Sequence, residues 1–288
     1  MNLTGLLTVL IDGTAYGMLL FLFAIGLSIT LGLMRFINLA HGAFAMCGGY
    51  LLIIATSTLG LPFLLALPVS FFGTGLIGAA LERGMIRHVY AKTELQQVLF
   101  SIGLTFAAGA LANIAFGPHQ QQIDLPGWAT AKLSLFGIPT TGYRLFIMGA
   151  GLVAILALVL LFQRTLFGAK VRAAVDRRAT AEGIGINVSR LFAMTFGLGA
   201  AFAGLGGALA AGFLGLDPSF ALKYLVIVLM VVAIGGAGSI AGSFVAALFL
   251  GIADALFKYL VPEVGGFVIY GLLVLTMIFM PKGLAGKA

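Results

Sequence analysis

Asn38 and His41 stand three residues apart in a stretch free of charged side chains, a spacing that would place both on one face at the start of a helix. Such a pair can do two things. Asn38 can cap the helix while His41 satisfies a neighbouring carbonyl, or both, with Gly42, can line a gate or solute path, because polar groups buried in an apolar setting are costly and often functional. Cys47 follows His41 by six positions, about 9 Å of helical rise, too far for a direct nucleophile–base pair. Asp12 lies a few residues into a long apolar run and suits a solvated or capping role. Asp254 and Lys258 have the i, i+4 spacing of a helical ion pair. Asp217-Pro218 reads as a turn. His41, His88 and His119 form no HExxH pattern, the single cysteine excludes an internal disulfide or cysteine-cluster metal site, and no GxxxxGK[ST] phosphate loop occurs. Nucleotide hydrolysis, zinc proteolysis and redox chemistry are therefore not expected of this chain.

The elements carrying these residues must sit in lipid. Of 288 residues, 61% are hydrophobic and 9% charged, and the mean hydropathy is +1.15. So few charges cannot cover a water-soluble surface of this size. The 41 glycines fit close helix packing in a bilayer. The net charge of +7 reads as membrane topology rather than nucleic-acid binding.

Uncharged runs long enough to span occur at about 6–34, 39–58, 62–81, 95–117, 145–163, 191–216, 224–253 and 264–281, with Asp12 the one charge near the start of the first. The expected fold is an all-α polytopic membrane protein of about eight embedded segments, a single transmembrane domain over 1–288. The first span lacks a basic leader and cleavage site, and so is expected to be mature sequence. Arg83, Arg87 and Lys92 precede the fourth span, and Arg164, Lys170, Arg172, Arg177, Arg178 and Arg190 surround residues 164–190. Basic loops stay in the cytoplasm. That places residues 117–143 outside, the N-terminus outside, and Arg35, Lys282 and Lys287 inside. Twelve basic residues then lie inside, and Lys132, Arg144, Lys223 and Lys258 lie outside.

Gly235-Gly236-Ala237-Gly238-Ser239 makes a poor helix interior. A broken or re-entrant segment at 235–239 is expected, with Ser239 capping the following half-helix, its N-terminus available to a carboxylate, and Val232 facing lipid. Such a break also returns the C-terminus to the cytoplasm. Ala203, Gly207, Ala211 and Gly215 repeat every fourth residue, a row that admits another helix closely. In 164–190, Ala173, Ala174, Arg177, Arg178 and Ala181 recur at helical spacing before Gly183 and Gly185 interrupt. Short helices with small and basic faces suit docking into another protein or anchoring on anionic lipid.

The stretch Arg35–Gly49, RFINLAHGAFAMCGG, resembles the opening signature of the branched-chain amino acid permeases of ABC importers. AEGIGIN at 181–187 is similar to that family's cytoplasmic coupling loop. GGAGSIAG at 235–242 with GIADA at 251–255 is similar to its glycine-rich segment, and MPKGL at 280–284 to its ending. The resemblance covers about residues 5–285. It implies a bacterial plasma-membrane (inner-membrane) subunit that pairs with a second, related permease, two cytoplasmic ATPases and an external or periplasmic binding protein. ATP would be bound by the partners, with no cofactor in this chain. The coupling loop would use Arg172, Ala173, Ala174, Asp176, Ala181, Glu182, Gly183, Gly185 and Ile186, with the three alanines packed on the ATPase. Asn38, His41, Gly42, Gly235, Gly236, Gly238 and Ser239 would line the path or gate. The wider importer loop carries an acid where Ala179 stands here, and Glu182 or Asp176 is available in its place. The small-residue row becomes either packing within the subunit or the seam with the second permease. The implied solute is a branched-chain or related amino acid, an amide or urea. An ion-coupled transporter would need ionisable groups deep in the spans, and an intramembrane enzyme a nucleophile beside a base. Only Asp12, His41 and Asp254 approach either need, all near span ends.

Overall fold

A computed structural model of the chain describes residues 3–34, 36–135, 137–263, 265–279 and 283–284. Arg35, Met280, Pro281, Lys282 and Lys287, which carry part of the expected charge asymmetry and of the ending, lie outside the described residues. The order is α1 (Leu3–Met34), α2 (His41–Ile53) running into a π-turn (Ile54–Thr58), α3 (Phe63–Gly84), α4 (Glu94–Phe116), α5 (Gly127–Thr130), β1 (Lys132–Leu135) and β2 (Ile138–Thr141). Then follow α6 (Gly142–Arg164), α7 (Leu166–Asp176), α8 (Arg178–Gly183), α9 (Val188–Ala211), α10 (Phe220–Gly235), α11 (Ile240–Leu260) and α12 (Gly265–Phe279). The chain is an all-α polytopic membrane protein, the one sheet among the described residues being the antiparallel β1–β2 hairpin. Among the described residues α1, α3, α4, α6, α9 and α11 are long and apolar enough to cross a bilayer, with α10 and α12 shorter apolar helices.

The core is built on α1 and α9. A helix apolar on every face belongs inside, and α1 meets this with Leu19, Leu20, Phe21 and Leu22 all fully buried. α9 approaches it by a different chemistry, small residues. A Cβ on Gly207 would overlap the Ala45 carbonyl of α2, and one on Gly48 of α2 would overlap the Gly204 backbone. Ala203, Gly207 and Ala211 are all buried inside this chain. The fourth member of that row, Gly215, lies past the helix at φ +73 beside Gln120. The row is therefore internal packing rather than a seam with another subunit. α3, α4, α6 and α12 ring this centre and turn Leu65, Phe72, Leu76, Leu111, Ile114, Val153 and Phe267 outward, which suits lipid or a second membrane subunit.

The helix directions agree with the expected topology. α1 runs antiparallel to α11, Gly13 meeting Ile252 and Gly17 meeting Ala247, and antiparallel to α9, where Gly26 meets Gly199. The loops at 85–93 and 165–187 and the turn at 236–239 thus share one end with Met34. The hairpin, the 212–219 loop and the first turns of α1 share the other. Gly283 and Leu284 lie at the same end as Met34, with Leu284 N–H donating to Ile234 O at 2.6 Å.

The expected break is present: α10 stops at Gly235 and α11 starts at Ile240, after Gly236 at φ +89 and Gly238 at φ +82. It is not a turn at mid-membrane. Its second arm has 21 residues, enough to cross alone, so the two arms form a hairpin that turns at the inner end. Val232, expected to face lipid, is buried. The eight expected segments correspond to α1, α2, α3, α4, α6, α9, the α10–α11 pair and α12.

Candidate functional site

The loop expected to couple is two short helices folded back under α6. Thr165 Oγ1 accepts from Gly168 N–H at 3.4 Å and caps α7. Gly168 backs onto the Phe162 backbone, and the Arg172 guanidinium donates to the Phe162 carbonyl at the end of α6. Arg172 is thus used as a clamp between helices. A break at Arg177 (φ −146, ψ 88) turns the chain into α8. α8 ends in a Schellman arrangement: Ile186 N–H donates to Ala181 O and Gly185 N–H to Glu182 O, both at 3.0 Å, with Gly185 at φ +86. Asn187 then caps α9 by accepting from Arg190 N–H at 2.9 Å.

This geometry divides the expected docking residues. Ala174 and Ala181 are buried, packed with Val171 and Val188 in the chain's own core, and Ala173 is half-buried. In this conformation Ala174 and Ala181 offer no surface to an outside partner, contrary to the packing expected of them. Small residues at helical spacing record a close approach, and here the approach is internal. Exposed instead are Asp176, Arg177, Arg178, Ala179, Thr180, Glu182, Gly183, Ile184 and Gly185, with Ile186 half-buried. Arg178 and Glu182 pair at 2.9 Å, which leaves Asp176 as the acid without an ion pair on this surface among the described residues. Ile184, an apolar side chain 72% exposed at the tip, was not singled out from sequence.

The second region lies where α1 hands over to α2. Residues 36–38 are non-helical, and 39–40 form a turn. Asn38 Oδ1 accepts from Ala40 N–H at 3.1 Å, an Asx turn, so the position before α2 falls to Ala40, which supplies no side-chain cap. Asn38 is therefore not on the helix and does not share a helical face with His41. His41 opens α2 almost fully buried, its ring filling the space beside Gly26 of α1 and Gly199 of α9. Neither ring nitrogen has a partner among the described residues, nor does Asn38 Nδ2. Gly42 lies against the Ala221 carbonyl of α10.

Three residues that sequence reasoning passed over hold this segment. Gln97 Oε1 accepts from Ile37 N–H at 3.2 Å, Ser101 Oγ accepts from Leu39 N–H at 3.1 Å, and Thr105 Oγ1 reaches Leu39 O at 3.3 Å. All three are buried. Their four-residue spacing on an otherwise apolar span was the available signal. Tyr90, at the end of the bundle that carries Met34, donates to Glu82 Oε1 at 3.0 Å and meets Phe36 edge-to-face at 5.4 Å. Burial, with the Glu82 carboxylate beside it, holds the Tyr90 hydroxyl above its usual range and so protonated.

Beyond this row α4 stands off α2 and α3, leaving an apolar cleft of about 390 Å³ floored by Ala43, Cys47, Ala108 and Ala112 and closed outside where Tyr50 stacks on Phe116 at 4.2 Å. At the glycine turn, Gly238 touches Gly32 of α1, Gly235 packs against Ser243 of α11, and Ser239 Oγ accepts from Gly242 N–H at 2.9 Å. The capping role of Ser239 is as expected. Gly238 is packed against α1, and Ser239 Oγ takes the Gly242 N–H at the α11 N-terminus that a carboxylate would otherwise use. Asp254 pairs with Lys258 at 2.6 Å, and Asp12 pairs with Arg144 of α6 at 2.9 Å. Among the described residues no three His, Cys, Asp or Glu come together as a metal site.

A model of the family described as branched-chain amino acid transport system, permease component, matches residues 9–277. The permease protein LivH of a high-affinity branched-chain amino acid transport system in Salmonella typhimurium is 29% identical over 96% of this chain and 94% of its own length. BraD of Pseudomonas aeruginosa, similarly described, is 27% identical over 96% and 95%. LivM of Escherichia coli, also a permease of such a system, is 26% identical over 95% of this chain and 69% of its own. No solved structure matches.

Proposed function

The chain belongs to the permease-component family of branched-chain amino acid transport systems, and from that premise we propose that it is one of two related permeases forming the membrane path of an ATP-driven importer for branched-chain amino acids. The observation that carries this reading is the family match along nearly the whole chain, together with relatives of two kinds, LivH and LivM. Two cytoplasmic ATPases bind and hydrolyse ATP, an external binding protein delivers the solute, and the chain resides in the bacterial plasma membrane. It needs no cofactor of its own and binds no nucleic acid.

The coupling surface is the exposed tip of α8 and its turn, Ala179, Thr180 and Glu182 to Gly185, with Ile184 as apolar anchor and Asp176, unpaired among the described residues while Glu182 pairs with Arg178, as the acid in the role that Ala179 vacates. Movement of that tip reaches the spans through α7, whose Arg172 holds the end of α6 and whose Val171 and Ala174 sit in the core. The gate is the unwound segment 36–40 with His41, where buried groups without partners favour rearrangement into a state that satisfies them. ATP closure supplies the difference in free energy between the two states.

Co-expression with the neighbouring permease, ATPases and binding protein, followed by purification through this chain and reconstitution, tests the proposal. ATPases should co-purify, and leucine uptake should require both ATP and the binding protein. Uptake by this chain alone in ATP-free vesicles along an imposed ion gradient would overturn it in favour of an ion-coupled transporter.

A further inference from the structure

Gln97, Ser101 and Thr105 do more than satisfy stray backbone. The rise of four helical residues is about 6 Å, and two extended residues advance about 6.6 Å. One row on α4 can therefore track successive groups of an unwound strand. It does: Gln97 faces Ile37, Ser101 stands between Ile37 and Leu39, and Thr105 faces Leu39. Counted from Glu94, the row lies about 5–17 Å into α4. Ser101 and Thr105, each 1% exposed, sit deepest in the row, where no bulk water replaces a lost partner.

Each hydroxyl carries one proton and faces two carbonyls. Ser101 Oγ lies 3.0 Å from Val98 O on its own helix and 3.5 Å from Ile37 O on the segment. Thr105 Oγ1 lies 2.9 Å from Ser101 O and 3.3 Å from Leu39 O. When the segment leaves, both hydroxyls keep an acceptor on α4, and of the α4 side chains only Gln97 Oε1 gives up its partner, Ile37 N–H. Gln97 extends the row to the cytoplasmic end. Its Nε2 donates to Lys92 O at 3.2 Å and Tyr90 O at 3.4 Å while its Oε1 holds Ile37 N–H. The same α4 residue thus touches the basic inner loop and the unwound segment.

We propose that Gln97, Ser101 and Thr105 are positioning residues forming a releasable latch that holds segment 37–39 in one transport state and lets it go in the other. The latch rests on the function proposed above. Its release frees the segment, Asn38 included, beside His41, and the apolar cleft behind α4 gives that helix room to tilt.

The test uses the assembled complex in vesicles, comparing Ser101→Ala/Thr105→Val, which removes both hydroxyls at nearly constant volume, with Ser101→Thr and Thr105→Ser, which keep them. The double variant should move roughly fivefold to tenfold less leucine per ATP hydrolysed, as expected for losing one or two buried hydrogen bonds, with basal hydrolysis retained. The hydroxyl-keeping variants should stay near the unaltered complex. Hydrogen–deuterium exchange gives a local readout that needs no variant: the peptide over 36–41 should be protected without nucleotide and exposed in the nucleotide-trapped complex, while 44–52 stays protected in both. Unchanged coupling in the double variant, or equal protection of 36–41 in both states, overturns the latch. Uptake by the unaltered complex separates the two readings, because its absence counts against the importer function, whereas unchanged coupling in an active double variant counts against the latch alone.

Discussion

Arg144 at the start of α6 places its Nε 2.9 Å from Asp12 Oδ1 in α1, tying together two helices whose sequences are 132 positions apart at the outer end of the bundle. Both side chains are about one-third exposed (29% and 31%), so the pair is partly screened and worth about 0.5–1 kcal/mol. Asp12→Asn and Arg144→Gln should each lower the thermal midpoint of the purified complex by a few degrees or less, and the double change should cost less than the sum. Uptake per ATP should be unaltered. Strict additivity of the two midpoint shifts would remove the pair from the stabilising contacts.

Gly185 occupies the left-handed position that ends α8, with open space around the missing side chain. The cost of substitution is therefore conformational rather than steric, about 1–2 kcal/mol for an ordinary residue and more for a β-branched one. Gly185→Val should uncouple ATP hydrolysis from uptake in a complex that still assembles, and Gly185→Asn, which tolerates that conformation, should retain most coupling. Equal uptake by the Val variant would show that the turn carries no coupling role.

Ile184 and Ala181 are three residues apart yet face opposite ways, one 72% exposed and the other buried. Ile184→Ser should leave the stability of this chain unchanged while weakening its hold on the ATPase by about tenfold, as loss of a central apolar anchor does. Ala181→Leu should instead overpack the core and destabilise the chain by about 1–3 kcal/mol. Midpoints of thermal unfolding and ATPase affinity, measured on both variants, separate the effects. The reverse pattern would place Ala181 at the interface after all.

How far these features could be read beforehand depends on whether their cause is local. The spans follow from long uncharged runs, and the turn at 236–239 from adjacent glycines that no helix interior favours. Both are properties of a few consecutive residues, and both appear in the structure. The facing of helices was less legible. Past Lys223, α10 is a run of apolar residues, so little in its composition marks Val232 as buried rather than lipid-facing. Ala174 and Ala181 advertised a close contact without saying with what. The Asp12–Arg144 pair and the Gln97–Ile37 bond join residues 132 and 60 positions apart, and only the packed helices bring them together. Asn38 was read as helical because an Asx turn and an N-cap draw on the same residue type.

The glycine turn is closed by backbone on both sides. Gly235 backs onto the Gly242–Ser243 backbone of α11, and Gly238 touches Gly32 of α1. Any side chain at either position meets backbone, which cannot rotate away. Gly238 also sits at φ +82, a conformation that Leu adopts only under strain. Leu at these positions must therefore separate α10 from α11 or α11 from α1, helices that extend from this turn to the outer end. Val232 is no neutral comparison, being buried in the same helix, whereas Val226 is 44% exposed. Gly235→Leu and Gly238→Leu should reduce leucine uptake by tenfold or more on the scale of overpacking costs of about 1–3 kcal/mol, with Val226→Leu close to unaltered. Val232→Leu should fall between, since one added methylene in a packed interior is felt but can be partly absorbed. Uptake, normalised to the amount of assembled complex, decides. If Gly238→Leu transports as well as Val226→Leu, the contact between Gly32 and Gly238 is not needed in the transport cycle.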